Sequence, residues 1–93
     1  MVVFEWDESK ARSNYKKHGV SFEESRKVFE DPYGLEFYDP EHSNLTEKRF
    51  ARVGFSGTRL LFVVFTETGE GVIRILHARR ANRQMERLYA QNT

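Results

Sequence analysis

The sequence predicts an α+β fold, a small antiparallel sheet with an N-terminal helical hairpin and a C-terminal helix. Three observations carry that reading. A short β-type run at the N-terminus leads into two stretches with helix start and stop signals. Apolar runs between Arg49 and Ala78 are divided by glycine turns, and between Gly71 and Tyr89 the hydrophobic period changes from strand to helix.

Val2 to Trp6 is the first strand, and Asp7 caps a helix from Glu8 to about Lys17, where Glu8 is favoured by the helix dipole. Gly19 suits the left-handed position that ends this helix. Ser21 opens a second helix at capping-box spacing, so that Ser21 and Glu24 are expected to satisfy each other's amides. Phe22, Ser25, Val28 and Phe29 share one side, and Asp31-Pro32 ends the helix because the residue before proline leaves the α region. From Tyr33 to Lys48 the chain is turn-like, although Leu35 to Tyr38 has the composition of a short strand.

Arg49 to Ser56 and Arg59 to Thr66 form a hairpin about Ser56-Gly57-Thr58, and LLFVVF, apolar on both faces, is suited to a central strand. After the turn at Thr68 to Gly71, Val72 to Ala78 makes another strand. Ala81, Met85 and Leu88 then recur at helical spacing with Tyr89 beside them, and Arg80, Arg83 and Arg87 recur on a second, cationic face. Phe22 and Phe29 are expected to pack on Leu61, Val63 and Phe65, or on the alternates Phe62 and Val64.

The 93 residues make one small domain, able to bury about 60 to 65% of the surface of its unfolded chain. With 39% hydrophobic residues and 8 Phe, aromatic rings must fill much of the core. A net charge of +1 favours neither a nucleic-acid nor a membrane partner overall, so any basic function must come from local clustering. The absence of cysteine excludes disulfides, thiol catalysis and Cys-based zinc sites. No apolar run reaches about 18 residues and MVVFEWDESK lacks a signal-peptide core, so the expectation is a cytoplasmic protein with no membrane partner.

A strand ending in His77, Arg79 and Arg80 delivers charged donors to a sheet edge, and guanidinium groups match phosphate oxygens in pairs. The blander alternative is a solvated helix face with surface pairs such as Arg83 with Glu86.

Several blocks in order then carry a resemblance: FEWD at Phe4 to Asp7, KHGVSFEE at Lys17 to Glu24, VFEDP at Val28 to Pro32, DPEHS at Asp39 to Ser43, and IRILHARRANRQMERLY at Ile73 to Tyr89. Together they resemble the BrnT ribonuclease toxins of type II toxin-antitoxin pairs, across almost the whole chain. The resemblance implies a RelE-like fold, with two helices following the first strand. It also implies metal-independent RNA cleavage that inhibits growth, and neutralisation by a BrnA-type antitoxin. The antitoxin's DNA-binding part would bring the complex to its operator. Where this chain has His77, many relatives have serine, which argues against an essential imidazole there.

Cleaving RNA without a cofactor requires the 2′-hydroxyl to be deprotonated, the phosphorane stabilised and the 5′-oxygen protonated. Arg79 and Arg80 match the strand-to-helix motif as phosphate donors. His18 and His42 are candidate proton-transfer groups, set against a helix-capping role for His18 and a turn role for His42. Glu47, Arg49 and Arg52 offer a base and phosphate contacts, with Arg74, His77 and Arg83 as further RNA-binding residues. Arg49 and Arg74 are alternatively ion-paired to Glu47 or Glu67. Tyr89 has the spacing of a core residue more than that of a stacking platform. Asp39, Glu41, His42 and Glu47 match no metal-ligand pattern, so neither metal nor cofactor is expected. The competing function is a non-catalytic module that binds RNA or protein through the same basic residues.

Overall fold

The computed structural model describes residues 2–93. In chain order the elements are β1 (Val3–Glu5), α1 (Glu8–His18), α2 (Phe22–Ser25), a 3-10 helix (Arg26–Glu30), β2 (Leu35–Asp39), β3 (Arg49–Phe55), β4 (Leu60–Gly69), β5 (Val72–Arg80) and α3 (Arg83–Asn92). The strands form one sheet in the order β1-β5-β4-β3-β2.

Strands β2 to β5 are antiparallel neighbours, but β1 lies parallel to β5, pairing Val3 with Val72 and Glu5 with Arg74. The sheet is therefore mixed, which corrects the expected antiparallel one. Both helical segments α1 and α2 intervene before the chain next enters the sheet, and a strand placed by so long an excursion is free to run parallel to its neighbour.

Local signals act where the sequence puts them. Asp7 Oδ1 accepts from the Lys10 N–H at 3.1 Å, and Gly19 ends α1 at φ 69° with its N–H on the Tyr15 carbonyl. The Ser21 hydroxyl accepts from the Glu24 N–H at 3.0 Å. Only half of the expected capping box forms, because the Glu24 carboxylate turns away to Arg59, Ser56 and Thr58. The second helical element is also shorter than a hairpin arm, with four α-helical residues followed by 3-10 turns.

Strand alternation divides the sheet into two faces. The inner face presents Leu61, Val63, Phe65, Ile75 and Ala78 to Val20, Phe22 and Val28, all buried. Of the two possible core sets, the one with Leu61, Val63 and Phe65 is inside, and Phe62 and Val64 face outward. Phe29 is half-buried, its ring edge-on to Phe65 at 4.9 Å and tilted against Phe4 at 5.3 Å. Full burial of rings such as Phe22 and Phe65 contributes roughly 1.5–3 kcal/mol each. The outer face is crossed near its end by α3, which touches β3 and donates the Tyr89 hydroxyl to Asp31 at 2.6 Å. None of the α3 residues is fully buried. No helix among the described residues is long and apolar enough to cross a membrane.

Candidate active site

The pairing register sorts the candidate residues. Arg52 opposes Val63 and so lies on the inner face, where its Nε donates to the Val28 carbonyl at 2.8 Å, its Nη2 to the Asp31 carbonyl at 2.8 Å and its Nη1 to Glu36 at 3.0 Å. A side chain at Gly34 would collide with this guanidinium. Arg52 thus ties the 3-10 helix and β2 to β3 through all three guanidinium nitrogens.

The outer face carries Arg49, Ala51 and Val53 on β3, Phe62, Val64 and Thr66 on β4, and Arg74, His77 and Arg79 on β5. A register shift at Val64 and Phe65 inserts one extra residue into β5. It keeps Arg74 and His77, three positions apart, on the same face.

Arg79 and Arg80 separate. Arg79 opposes Phe62 on the outer face, whereas Arg80 opposes Leu61 on the inner side. Both belong to β5, and α3 begins at Arg83 with Asn82 as its cap. Arg80 and Ala81 therefore do not share the helix with Arg83 and Arg87, because the strand continues to its full length before Asn82. Arg83 itself is exposed at the start of α3.

The Arg79 guanidinium lies 4.6 Å from the centre of the Phe62 ring. Among the described residues it has no salt bridge. Two residues back, His77 meets His18 edge-on, with ring centres 4.9 Å apart. The two imidazoles line one shallow pocket with Lys10, Lys17, Ser9 and Ser13. His18 is there because α1 ends at Gly19 while the helix is docked against β5. Burial, and then the nearby His18, Arg79 and Lys17 side chains, hold the His77 pKa below its ordinary 6.5.

The opposite rim of the same face is built by the loop between β2 and β3. His42 Nδ1 and Asp39 Oδ2 are 2.8 Å apart, and that hydrogen bond holds the Asp39 carboxyl below the usual range. Asn44 Oδ1 accepts from the Glu47 N–H at 2.8 Å, and Arg49 Nε donates to Glu47 Oε2 at 2.8 Å. Arg74 pairs with Glu5 at 3.6 Å, across the parallel strands, and not with Glu67. Asp39, Glu41 and His42 bring possible ligand atoms within 4.8 Å of one another, but Asp39 and His42 already use their facing atoms on each other.

Between the two rims lie Ala51, buried, and Val64, half-buried, which pair across β3 and β4 and form the floor between them. Arg49 lies two residues, about 7 Å, from Ala51, and Arg79 the same distance from His77, the register partner of Val64. Arg49 and Arg79 thus stand at opposite ends of this floor on one face of the sheet. The sequence marks Phe62 only as an alternate core residue and Asp39 only as a possible metal ligand; the structure puts Phe62 under Arg79 and Asp39 on His42. Asn14, a poor helix former one turn from both Ala11 and His18, gave a weak signal of its role at the β5 edge.

Residues 6–84 match the family model described as "Ribonuclease toxin, BrnT, of type II toxin-antitoxin system". Among solved structures, the chain is similar in fold to the crystal structure of the Brucella abortus ribonuclease toxin BrnT. The TM-score is 0.64 and the identity 21%, covering 89% of this chain and 100% of that one. A search of curated proteins gives no match.

Proposed function

Because the chain belongs to the BrnT family of ribonuclease toxins of type II toxin-antitoxin systems, we propose that it cleaves RNA on the outer face of its sheet without a metal ion. The carrying observation is that Arg79, which has no salt bridge among the described residues, and Arg49 flank the Ala51–Val64 floor from opposite ends. In this reading the scissile phosphate sits over the floor. The 2′-oxygen attacks phosphorus and gives its proton to His42 Nε2, while the P–O5′ bond breaks and the 5′-oxygen takes up a proton from solvent. Arg49 exchanges Glu47 for a phosphate oxygen, and Arg79 meets the charge that builds in the phosphorane. His77, Arg74 and Arg83 bind the flanking strand, and His18 supports His77. Arg80, on the other side of the sheet, is outside the reacting centre.

The whole of 1–93 is read as one toxin domain of RelE-like kind, acting on RNA in the cytoplasm. Its partner is an antitoxin of BrnA type that covers Arg79 and this face. Operator DNA is reached only through the antitoxin's DNA-binding part. The test is cleavage of RNA by purified protein in excess EDTA. Products ending in a 2′,3′-cyclic phosphate are expected. Activity that disappears in EDTA and returns with Mg²⁺ overturns metal independence. Tight binding with no cleavage under either condition overturns catalysis and supports the binding-module alternative.

A further inference from the structure

We infer that Asp39 is a positioning residue that accepts a hydrogen bond from His42 Nδ1 and so leaves Nε2 as the nitrogen that faces substrate. The inference rests on His42 being the proton-transfer group proposed above. The two side chains meet at 2.8 Å, and Asp39 Oδ1 also receives the His42 backbone N–H at 3.4 Å. One carboxylate thus engages both the ring and the backbone of the same residue.

The carboxylate is anchored where the imidazole is not. Asp39 is the last residue of β2 and pairs in register with Arg49 of β3. Pro40 follows it, and a residue before proline is held extended, as the strand end requires. Ser43 closes the turn, its hydroxyl donating to the Asp39 carbonyl at 2.5 Å and accepting from the Arg49 N–H at 2.8 Å. His42, by contrast, has 64% of its side chain exposed. Without the Asp39 bond its ring would be free to rotate and to exchange tautomers.

An exposed hydrogen bond of this kind adds little to stability. Its consequence is orientation, as for a histidine whose second nitrogen is held by a carboxylate beside a reacting centre. The same hydrogen bond is the chief cause that lowers the Asp39 pKa.

The experiment compares Asp39→Asn, Asp39→Glu and His42→Ala in single-turnover cleavage, in binding to RNA carrying a 2′-deoxy nucleotide at the cleavage position, and in the imidazole nitrogen shifts of His42. Asp39→Asn should slow cleavage about 10- to 100-fold with binding almost unchanged, as loss of an orienting partner does. Neutral His42 should shift from the Nδ1–H tautomer toward Nε2–H. Asp39→Glu should recover part of the rate. Wild-type cleavage by Asp39→Asn while His42→Ala is inactive overturns the positioning role. Slowed cleavage with an unchanged His42 tautomer overturns it as well. Wild-type cleavage by His42→Ala overturns the proton-transfer role of His42 and, with it, this inference.

Discussion

The side-chain amide of Asn14 completes the edge of β5 at Ala78, donating to its carbonyl at 2.8 Å and accepting from its N–H at 3.1 Å, across 64 residues of sequence. The amide also donates to the Val20 carbonyl at 3.0 Å. Strand β1 reaches only as far as Arg74 along β5. Beyond that point Asn14 supplies the partners that another strand would have supplied, and it fixes α1 beside the sheet. His18, one turn further along α1, is thereby held against His77.

Asn14→Ala leaves both polar groups of Ala78 without their partner and is expected to cost about 3 kcal/mol. Asn14→Asp should be equally damaging at neutral pH, because a carboxylate would face two carbonyl oxygens. Urea unfolding measures both. A wild-type midpoint for either variant would show that water can replace the amide at this edge.

Glu24 gives a second stability prediction. Its carboxylate accepts from Arg59 at 2.7 and 3.0 Å and from the Ser56 hydroxyl at 2.8 Å, contacts that lower its pKa to about 2, the Arg59 bond foremost. For an acid whose folded pKa is depressed, the stabilisation is complete above the unfolded value near 4.5 and is lost as pH falls toward about 2. Glu24→Gln should therefore be less stable by about 2 kcal/mol at pH 7. Its urea midpoint should approach that of wild type as pH is lowered through this window. A constant difference between the two proteins from pH 7 to about 2 would contradict the assignment.

Asp7, Gly19, Ser21 and Gly57 were legible in the sequence because capping and left-handed geometry are decided within a few residues. The apolar runs of β3, β4 and β5 were legible for the same local reason. Which of Phe62 or Val63 faces the core depends on register with a distant strand, as does the parallel placement of β1. Glu24 was legible as a capping residue but not as the partner of Arg59, a contact made 35 residues away. The candidate site divided in the same way. Its residue types were visible, but the opposite facing of Arg79 and Arg80, the withdrawal of Arg52 and the meeting of His18 with His77 follow only from tertiary pairing.

His77 gives a pH dependence of opposite origin to that of Glu24. Burial and neighbouring cations depress its pKa, so below about 6.5 the unfolded chain binds the proton more readily than the folded one. The folded state then loses stability as pH falls below that value, and above it the residue contributes no dependence. His77→Gln should flatten this limb when urea midpoints are compared at about pH 8 and about pH 5.5. An equal loss in both proteins would remove His77 as the cause.

Arg79 and Arg80 test the central claim most directly, because they carry the same charge at adjacent positions and face opposite sides of the sheet. The measurement is single-turnover RNA cleavage by Arg79→Ala and Arg80→Ala, with each protein's folding verified by circular dichroism. Arg79→Ala should slow cleavage about 100-fold or more, the loss expected when a donor to the transition state is removed, and Arg79→Lys should restore only part of it. Arg80→Ala should stay within a few-fold of wild type. Equal losses in the two alanine variants, or a larger loss for Arg80→Ala, would contradict catalysis on the outer face.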